Sequence, residues 1–325
     1  MLKANDAGSA PEAQSPDVKT PHFLTDYSPG DRPWDTHRAQ AQRVEGVYRG
    51  TQFDALAGRV RGCSGYLGFG WETDPDTGES RLRLRAARFC RGRHCPVCQW
   101  RRSLMWQARF LKSLPNIEAA HPSARWLFLT LTVRNMPLTE LRTSLQDMNK
   151  AWNRLRLRPE FASNVQGWIR TTEVTRAAND YAHPHFHALL MVKPSYFTHG
   201  YVKQERWMQL WQECARLDYQ PSVDIRTVKA KPGTSESPLR RAVSETLKYA
   251  VKPSDMQGEW LIELTRQVHK LRFIASGGAL KNVLRENEET EQDLILADES
   301  GDDNGDETPE LFFDWRRHIK RYEKR

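Results

Sequence analysis

Hydrophobic positions in the middle of the chain recur at two spacings. Across residues 125–133, Leu127, Leu129, Leu131 and Val133 fall on one side, with Phe128, Thr130 and Thr132 on the other. That alternation predicts a β-strand. Leu138, Leu141, Leu145, Met148, Trp152 and Leu155 recur every three or four residues, which predicts an amphipathic helix over 138–155. Further strands are predicted at 167–175, 185–192 and 222–228. A helix over 203–217 carries Trp207, Leu210, Trp211 and Cys214 on one side, and Cys214 is expected in the core. Another helix spans 238–251 and ends before Pro253. The order strand, helix, strand, strand, helix, strand, helix predicts an α+β fold, a central antiparallel sheet with helices on one face.

The flanks lack such periods. Residues 1–40 contain Pro11, Pro16, Pro21, Pro29 and Pro33 and are expected to be a disordered tail. Residues 285–310 are expected to be an acidic disordered segment. A basic-aromatic end follows at 311–325, where Phe312, Phe313 and Trp315 precede Arg316, Arg317, Lys320 and Arg321. It is expected to fold back as a helix or to remain a mobile arm. No internal repeat is visible.

Composition narrows the class. No apolar run approaches the roughly 20 residues of a membrane helix, and residues 1–21 hold no signal-peptide-like segment. A cytoplasmic protein without a membrane partner is expected. The 325 residues carry a net charge of +8. Residues 286–310 hold twelve acids and no Lys or Arg, so the other 300 residues carry +20. A body this basic points to nucleic acid, the plainer alternative being a solvated basic surface. The five cysteines are an odd number, and three of them cluster, which suggests a reducing compartment rather than a disulfide scaffold.

Three constellations carry candidate chemistry. In His183-Pro184-His185-Phe186-His187, His185 and His187 leave the same face of a strand, while Phe186 and Ala188 face the core. Two converging imidazoles can bind a divalent cation, and a carboxylate from a neighbouring strand can complete the set. If the strands on either side of the turn-like 177–180 form a hairpin, Glu173 falls beside the pair. His183 is the rival third ligand.

Glu245 and Tyr249 lie one helical turn apart, about 6 Å between Cβ atoms. A tyrosine can attack phosphorus to form a covalent ester. A neighbouring glutamate can activate water, and Lys248 and Lys252 can hold phosphate. Taken alone such a pair is poor evidence, because a tyrosine on an amphipathic helix is usually packing and a Glu–Lys-rich face is usually solvated.

Cys90, Cys95 and Cys98 form the third group, and the Cys95-x2-Cys98 spacing suits a structural Zn²⁺. Cys63 is expected as the fourth ligand, with His94 as the alternative. Arg91, Arg93, Arg101 and Arg102 surround the cluster and are expected to contact DNA, with Trp100 and Trp106 nearby as packing or base-stacking groups.

FCRGRHCPVCQWRR, FLTLTVRN, HPHFHALLMV and ETLKYAVK occur in that order. With the later RFIASGGALKNVL they resemble, across about residues 60–284, the replication initiators of small rolling-circle plasmids (the Rep_1 type). That family belongs to the HUH endonucleases, named for His-hydrophobic-His. The resemblance implies a ferredoxin/RRM-like HUH nickase domain at 116–284, preceded by a zinc-binding, DNA-contacting module at 41–115.

It also implies an activity. Tyr249 would attack one strand at the plasmid's double-strand origin and remain linked to the 5′ phosphate, while the freed 3′ hydroxyl primes a host polymerase working with a host helicase. Mg²⁺ or Mn²⁺ would be held by His185, His187 and Glu173, the last matching the family's glutamate on the preceding strand. Glu245 would end the last cleavage by hydrolysis, so that the enzyme stops after one circle. The rivals are a single-tyrosine transposase or relaxase and, from another class, a non-catalytic zinc-stabilised DNA-binding repressor.

Overall fold

The structure is a computed structural model that describes residues 21–229, 237–248, 251–285, 289–297 and 308–325. Its elements in chain order begin with α1 (Leu24–Tyr27), α2 (Arg32–Tyr48), α3 (Asp54–Gly62), β1 (Tyr66–Thr73), β2 (Ser80–Ala87), α4 (Pro96–Ala120) and β3 (Arg125–Thr132). There follow α5 (Leu141–Leu155), α6 (Pro159–Ala162), β4 (Val165–Arg176), β5 (Ala182–Val192), α7 (Gln204–Ala215) and β6 (Val223–Thr227). The chain continues through α8 (Pro238–Thr246), α9 (Gly258–Gln267), β7 (Ile274–Gly278), α10 (Glu291–Ile295), β8 (Leu311–Arg316) and β9 (Arg321–Lys324).

The predicted α+β architecture is present, with a five-stranded antiparallel sheet in the order β6-β3-β5-β4-β7. Strand alternation sorts its residues as the sequence pattern requires. Leu127, Leu129 and Leu131 join Phe186, Ala188 and Leu190 in one core with Leu145 and Trp152 of α5 and Leu210 and Trp211 of α7. The helices nevertheless cover both faces. Phe110 and Ile117 of α4 and Leu239 and Val243 of α8 pack against Ile169, Leu189 and Met191 on the opposite side. Sequence periodicity shows that a helix has an apolar stripe, not which sheet face receives it.

β7 joins the sheet through the glycines of the RFIASGG run. A Cβ at Gly277 would stand 2.5 Å from the Trp168 ring, and Gly278 has φ +61°. The bare backbone therefore lets β7 close onto β4 beneath an indole.

A second antiparallel sheet, β2-β1-β8-β9, gathers both ends of the chain. The expected tail over 1–40 is folded in its described part. Trp34 and Ala41 of α2 are buried with Leu67, Phe69, Phe313 and Tyr322. The terminal segment at 311–325 is a β-hairpin paired to β1, neither a helix nor a free arm. Both segments look irregular in isolation because their apolar residues are buried against distant parts of the chain, Trp34 against Phe89 and Trp100, and Phe313 against Phe69.

The acidic segment is likewise partly structured. Leu294, Ile295 and Ala297 are buried in the same core, and Thr290 and Asp293 form a capping box at the start of α10. The short apolar run inside the acidic stretch supplies the anchor. α4, about 37 Å long at 1.5 Å per residue, runs from this core (Val97, Met105) into that of the five-stranded sheet (Phe110, Ile117). The boundary expected near residue 115 therefore falls inside one helix.

Tyr322 is fully buried and its hydroxyl donates to the Ser64 carbonyl oxygen at 2.7 Å. Tyr322→Phe leaves that oxygen without its phenolic donor and is expected to cost about 1–3 kcal/mol. Urea unfolding measures this; an unchanged midpoint would show that the hairpin does not secure the second sheet.

Candidate metal centre and basic cleft

β4 and β5 pair so that Glu173 lies opposite His185 and Thr171 opposite His187. All three candidate ligands point away from the apolar core, which holds Phe186 and Ala188 behind them. Glu173 Oε2 is 3.0 Å from His185 Nε2 and 3.0 Å from His187 Nε2. The outer nitrogens are occupied. His185 Nδ1 faces the His183 carbonyl oxygen at 3.4 Å, and His187 Nδ1 faces Thr130 Oγ1 at 3.2 Å.

The 3.0 Å contacts are hydrogen bonds to the carboxylate when the Nε2 atoms carry protons. Donation from each Nδ1 would instead leave both Nε2 lone pairs beside Glu173, a set that could ligate a cation. Ligands about 2.1 Å from an octahedral ion lie about 3 Å apart when adjacent, so the set fits a hard divalent metal. Burial pushes the Glu173 carboxyl up. Hydrogen bonds from His185 and His187, with the charges of His185 and Lys248, outweigh burial and hold it far below the usual carboxylate range.

His183 stands outside this group. Its Nδ1 is 2.6 Å from Asn135 Oδ1, and burial, then His185, lowers its pKa. Glu173, the strand partner, is the residue that stands with His185 and His187 in a group that could hold a metal.

The end of α8 is held over this centre from two sides. Thr171 Oγ1 donates to the Thr246 carbonyl at 2.6 Å, and Ser103 Oγ of α4 donates to the Leu247 carbonyl at 2.7 Å. With those carbonyls engaged by side chains, α8 stops at Thr246 rather than running to residue 251 as expected. Lys248 Nζ lies 3.7 Å from Glu173 Oε2 and 2.5 Å from Glu245 Oε1. Glu245 is half exposed. Tyr249 lies outside the described residues, and Lys252 is exposed.

The four cysteines also converge. Cys63 caps α3, Cys90 follows β2, and Cys95 and Cys98 begin α4. Sγ–Sγ separations of 3.6 Å join Cys63 to Cys98, Cys90 to Cys98 and Cys95 to Cys63. Thiolates 2.3 Å from a tetrahedral ion lie about 3.8 Å apart, so four ligands with no open position fit one metal. A Cβ at Gly92 would stand 3.3 Å from Cys90 Sγ, which leaves room for the Gly92 N–H to donate to that sulfur at 3.3 Å.

His94 does not join the cluster. It is 4% exposed, neither ring nitrogen has a hydrogen-bond partner, and burial, then Arg93, pulls its pKa down to about 3.

A cleft of about 380 Å³ is lined by residues that neighbour both centres. Thr171, Thr172 and Lys248 line it near the histidines, while Arg91, Arg93, Arg102 and Trp106 line it near the cysteines. Lys270, Arg272 and Phe273 complete it, and these three were not singled out from sequence. The basic-aromatic run HKLRF was the available signal.

Arg93 donates to the Leu271 carbonyl and stacks over Phe273, 4.6 Å from its centroid. Arg102 is paired with Glu289 at 2.5 and 2.9 Å. Arg101, expected to contact DNA, is instead 1% exposed. It donates to the Leu294 and Ile295 carbonyls and lies between Trp34 and Trp100, because anchoring α10 needs a donor inside the core. Trp100 packs against Trp34 and His37.

A sheet bearing a His-x-His-plus-carboxylate group, with a four-thiol cluster and a basic cleft beside it, offers two sets of side chains that could hold metal. The Rep_1 family model, described as "Replication protein", matches residues 81–323. A "Protein rep" of Streptococcus pneumoniae is 33% identical over 261 residues, 78% of this chain and 79% of that protein. Another from Bacillus amyloliquefaciens is 34% identical over 310 residues, 88% of each. A "Replication protein" of Staphylococcus aureus is 36% identical over 200 residues, 57% of this chain and 85% of that one. No solved structure matches the chain. The chain belongs to the Rep_1 replication proteins, the plasmid replication initiators that its motifs resemble. Among the described residues, no helix is long and apolar enough to cross a membrane.

Cys98→Ala removes one of four convergent thiols. Metal content by mass spectrometry is expected to fall, and stability by several kcal/mol. A metal-free wild-type protein of equal stability would exclude a structural metal at this cluster.

Proposed function

We propose that this initiator is a metal-dependent DNA nickase and strand-transferase acting at a plasmid's double-strand origin. The observation that carries the proposal is that Glu173 Oε2 stands 3.0 Å from both His185 Nε2 and His187 Nε2, beside Lys248 at the end of the α8 segment that leads into Tyr249. Mg²⁺ or Mn²⁺ bound there would polarise the scissile phosphate. Lys248, Arg91, Arg93 and Arg102 would draw the strand along the cleft, with Lys252 as a further basic contact beyond the tyrosine.

The Tyr249 phenolate oxygen would then attack phosphorus. The bond to the 3′ oxygen breaks, that oxygen leaves as the primer hydroxyl after taking a proton, and the 5′ phosphate stays on tyrosine. Glu245, on the last turn of α8, would accept a proton from water in the final round, so the ester ends by hydrolysis. A second tyrosine would keep the ester energy for another cycle; a carboxylate and water discard it. The four-cysteine cluster is proposed to hold structural Zn²⁺. Its location in the cytoplasm, with host helicase and polymerase as partners, belongs to the same proposal.

Membership of the replication family favours this over a transposase or relaxase. A repressor without catalysis would leave no protein on cleaved DNA.

The test is incubation with a supercoiled plasmid carrying the candidate origin, plus Mn²⁺. Wild type is expected to leave a 5′-linked protein adduct. Tyr249→Phe is expected to lower nicking at least 10³-fold while duplex affinity stays within about twofold. A covalent adduct formed by Tyr249→Phe would show that the nucleophile is another residue.

Glu245→Gln is expected to nick at near wild-type rate and to release closed single-stranded circles about 10²-fold less efficiently, in line with loss of a general base. Normal release, read on denaturing gels, would remove its role.

A further inference from the structure

The cleft is not the only cavity along its basic rim. A second, of about 220 Å³, lies between the cysteine module and the end of α9. The two share Arg91, Arg93 and Lys270. Arg91 and Lys270 are exposed, and both have left-handed backbones, φ 53° and 59°. Such conformations in residues other than glycine collect at ligand-handling sites.

The walls of the second cavity are mostly apolar. Leu56 and Val60 of α3, Val268 and the Tyr48 ring form them. The Tyr48 hydroxyl is already engaged, 2.7 Å from Thr265 Oγ1. Arg59 lies at its edge and donates to the Cys90 carbonyl.

One wall holds an unmet polar group. His94 lines this cavity, is 4% exposed, and has no partner for either ring nitrogen, both of which are sealed from solvent. A neutral imidazole offers one donor and one acceptor, and a ring turned toward the cavity would recover part of the cost of burying them unmet by bonding a ligand through one nitrogen.

We propose that this cavity receives one unpaired base of single-stranded DNA, read by His94, while Arg91, Arg93 and Lys270 carry the adjoining phosphates toward the metal centre. The inference rests on the DNA-nicking function proposed above and adds a sequence-reading position to it. A flat ring held between apolar walls, with one hydrogen bond to an imidazole that turns to meet it, is the chemistry of a nucleobase. Arg91, Arg93 and Lys270 line both cavities, so the base is assigned to the strand in the cleft rather than to a free nucleotide. His94 immediately precedes Cys95, and the Cys90–Cys95 loop carries Arg91 and Arg93. A metal held by the four cysteines would thereby fix the reading loop as well as the fold.

The test is selection from randomised single strands of about 30 nucleotides, longer than the site sizes usual for such proteins. The full-length metal-loaded chain is used as wild type, His94→Leu and Leu56→Trp. Leu56→Trp fills the cavity from the wall opposite the cysteine loop, so it reports on the cavity even if His94→Leu misfolds.

Wild type is expected to enrich a motif. Both variants are expected to lose base preference at one position of it, with the other positions and the salt dependence retained. An abasic site at that position is expected to weaken wild-type binding about tenfold and to leave Leu56→Trp binding unchanged. An unaltered motif in folded Leu56→Trp overturns the inference, as does a wild type that prefers no base anywhere. Failure of wild type to bind any strand overturns the DNA function itself. Each deoxynucleoside monophosphate alone is the second arm. Tight binding of one, abolished in Leu56→Trp, would assign the cavity to a free nucleotide and overturn its assignment to the strand.

Discussion

A carboxylate oxygen held 3.0 Å from two imidazole nitrogens is an arrangement that positive charge must stabilise. Everything else in this structure serves that crowding. Antiparallel pairing sets Glu173 opposite His185 and places His187 two residues on, over the same face. A slip of one residue would send the histidines into the core and Phe186 into the cleft. The apolar residues beneath, Leu129, Phe186, Ala188 and Trp152 among them, penalise such a slip. The hydrophobic side of the sheet thus sets the register on which the polar side depends.

The same economy governs the surroundings. α4 begins inside the cysteine cluster, supplies Ser103 to the end of α8, and ends in the core of the sheet. One rigid element therefore couples the thiol cluster, the basic cleft and the segment before Tyr249. The cleft is not left wholly positive. Glu289 neutralises Arg102, and Asp293 pairs with Arg109 at 2.9 Å, so part of the acidic segment rests on the basic face. Repulsion among the arginines is thereby relieved where they are closest.

Some of this was legible in the residues themselves. The His-x-His alternation, the three-and-four spacing of the amphipathic helices and the Cys95-x2-Cys98 turn are local geometry, and the four motifs in order pointed to the family that the comparisons establish. That Glu173 rather than His183 would stand with the histidine pair, and Cys63 rather than His94 with the other thiols, was left open by the residues alone. It turned on pairings between segments 12 and 27 positions apart, Glu173 with His185 and Cys63 with Cys90. Arg101 and Arg102 are neighbours of the same type; one is enclosed by tryptophans and the other faces the cleft. Nothing in a run of arginines separates those fates.

The amino-acid order by itself determined the kind of element at each place and the chemical groups each element would display, because side-chain period follows from backbone geometry over a few residues. Only the tertiary structure decided that residues 21–48 and 308–325 share one core with β1 and β2, that helices occupy both faces of the other sheet, and that α8 stops at Thr246. Those outcomes depend on which distant surfaces exclude water together and which carbonyls find a hydroxyl from another element. Neither is encoded in any single stretch of chain.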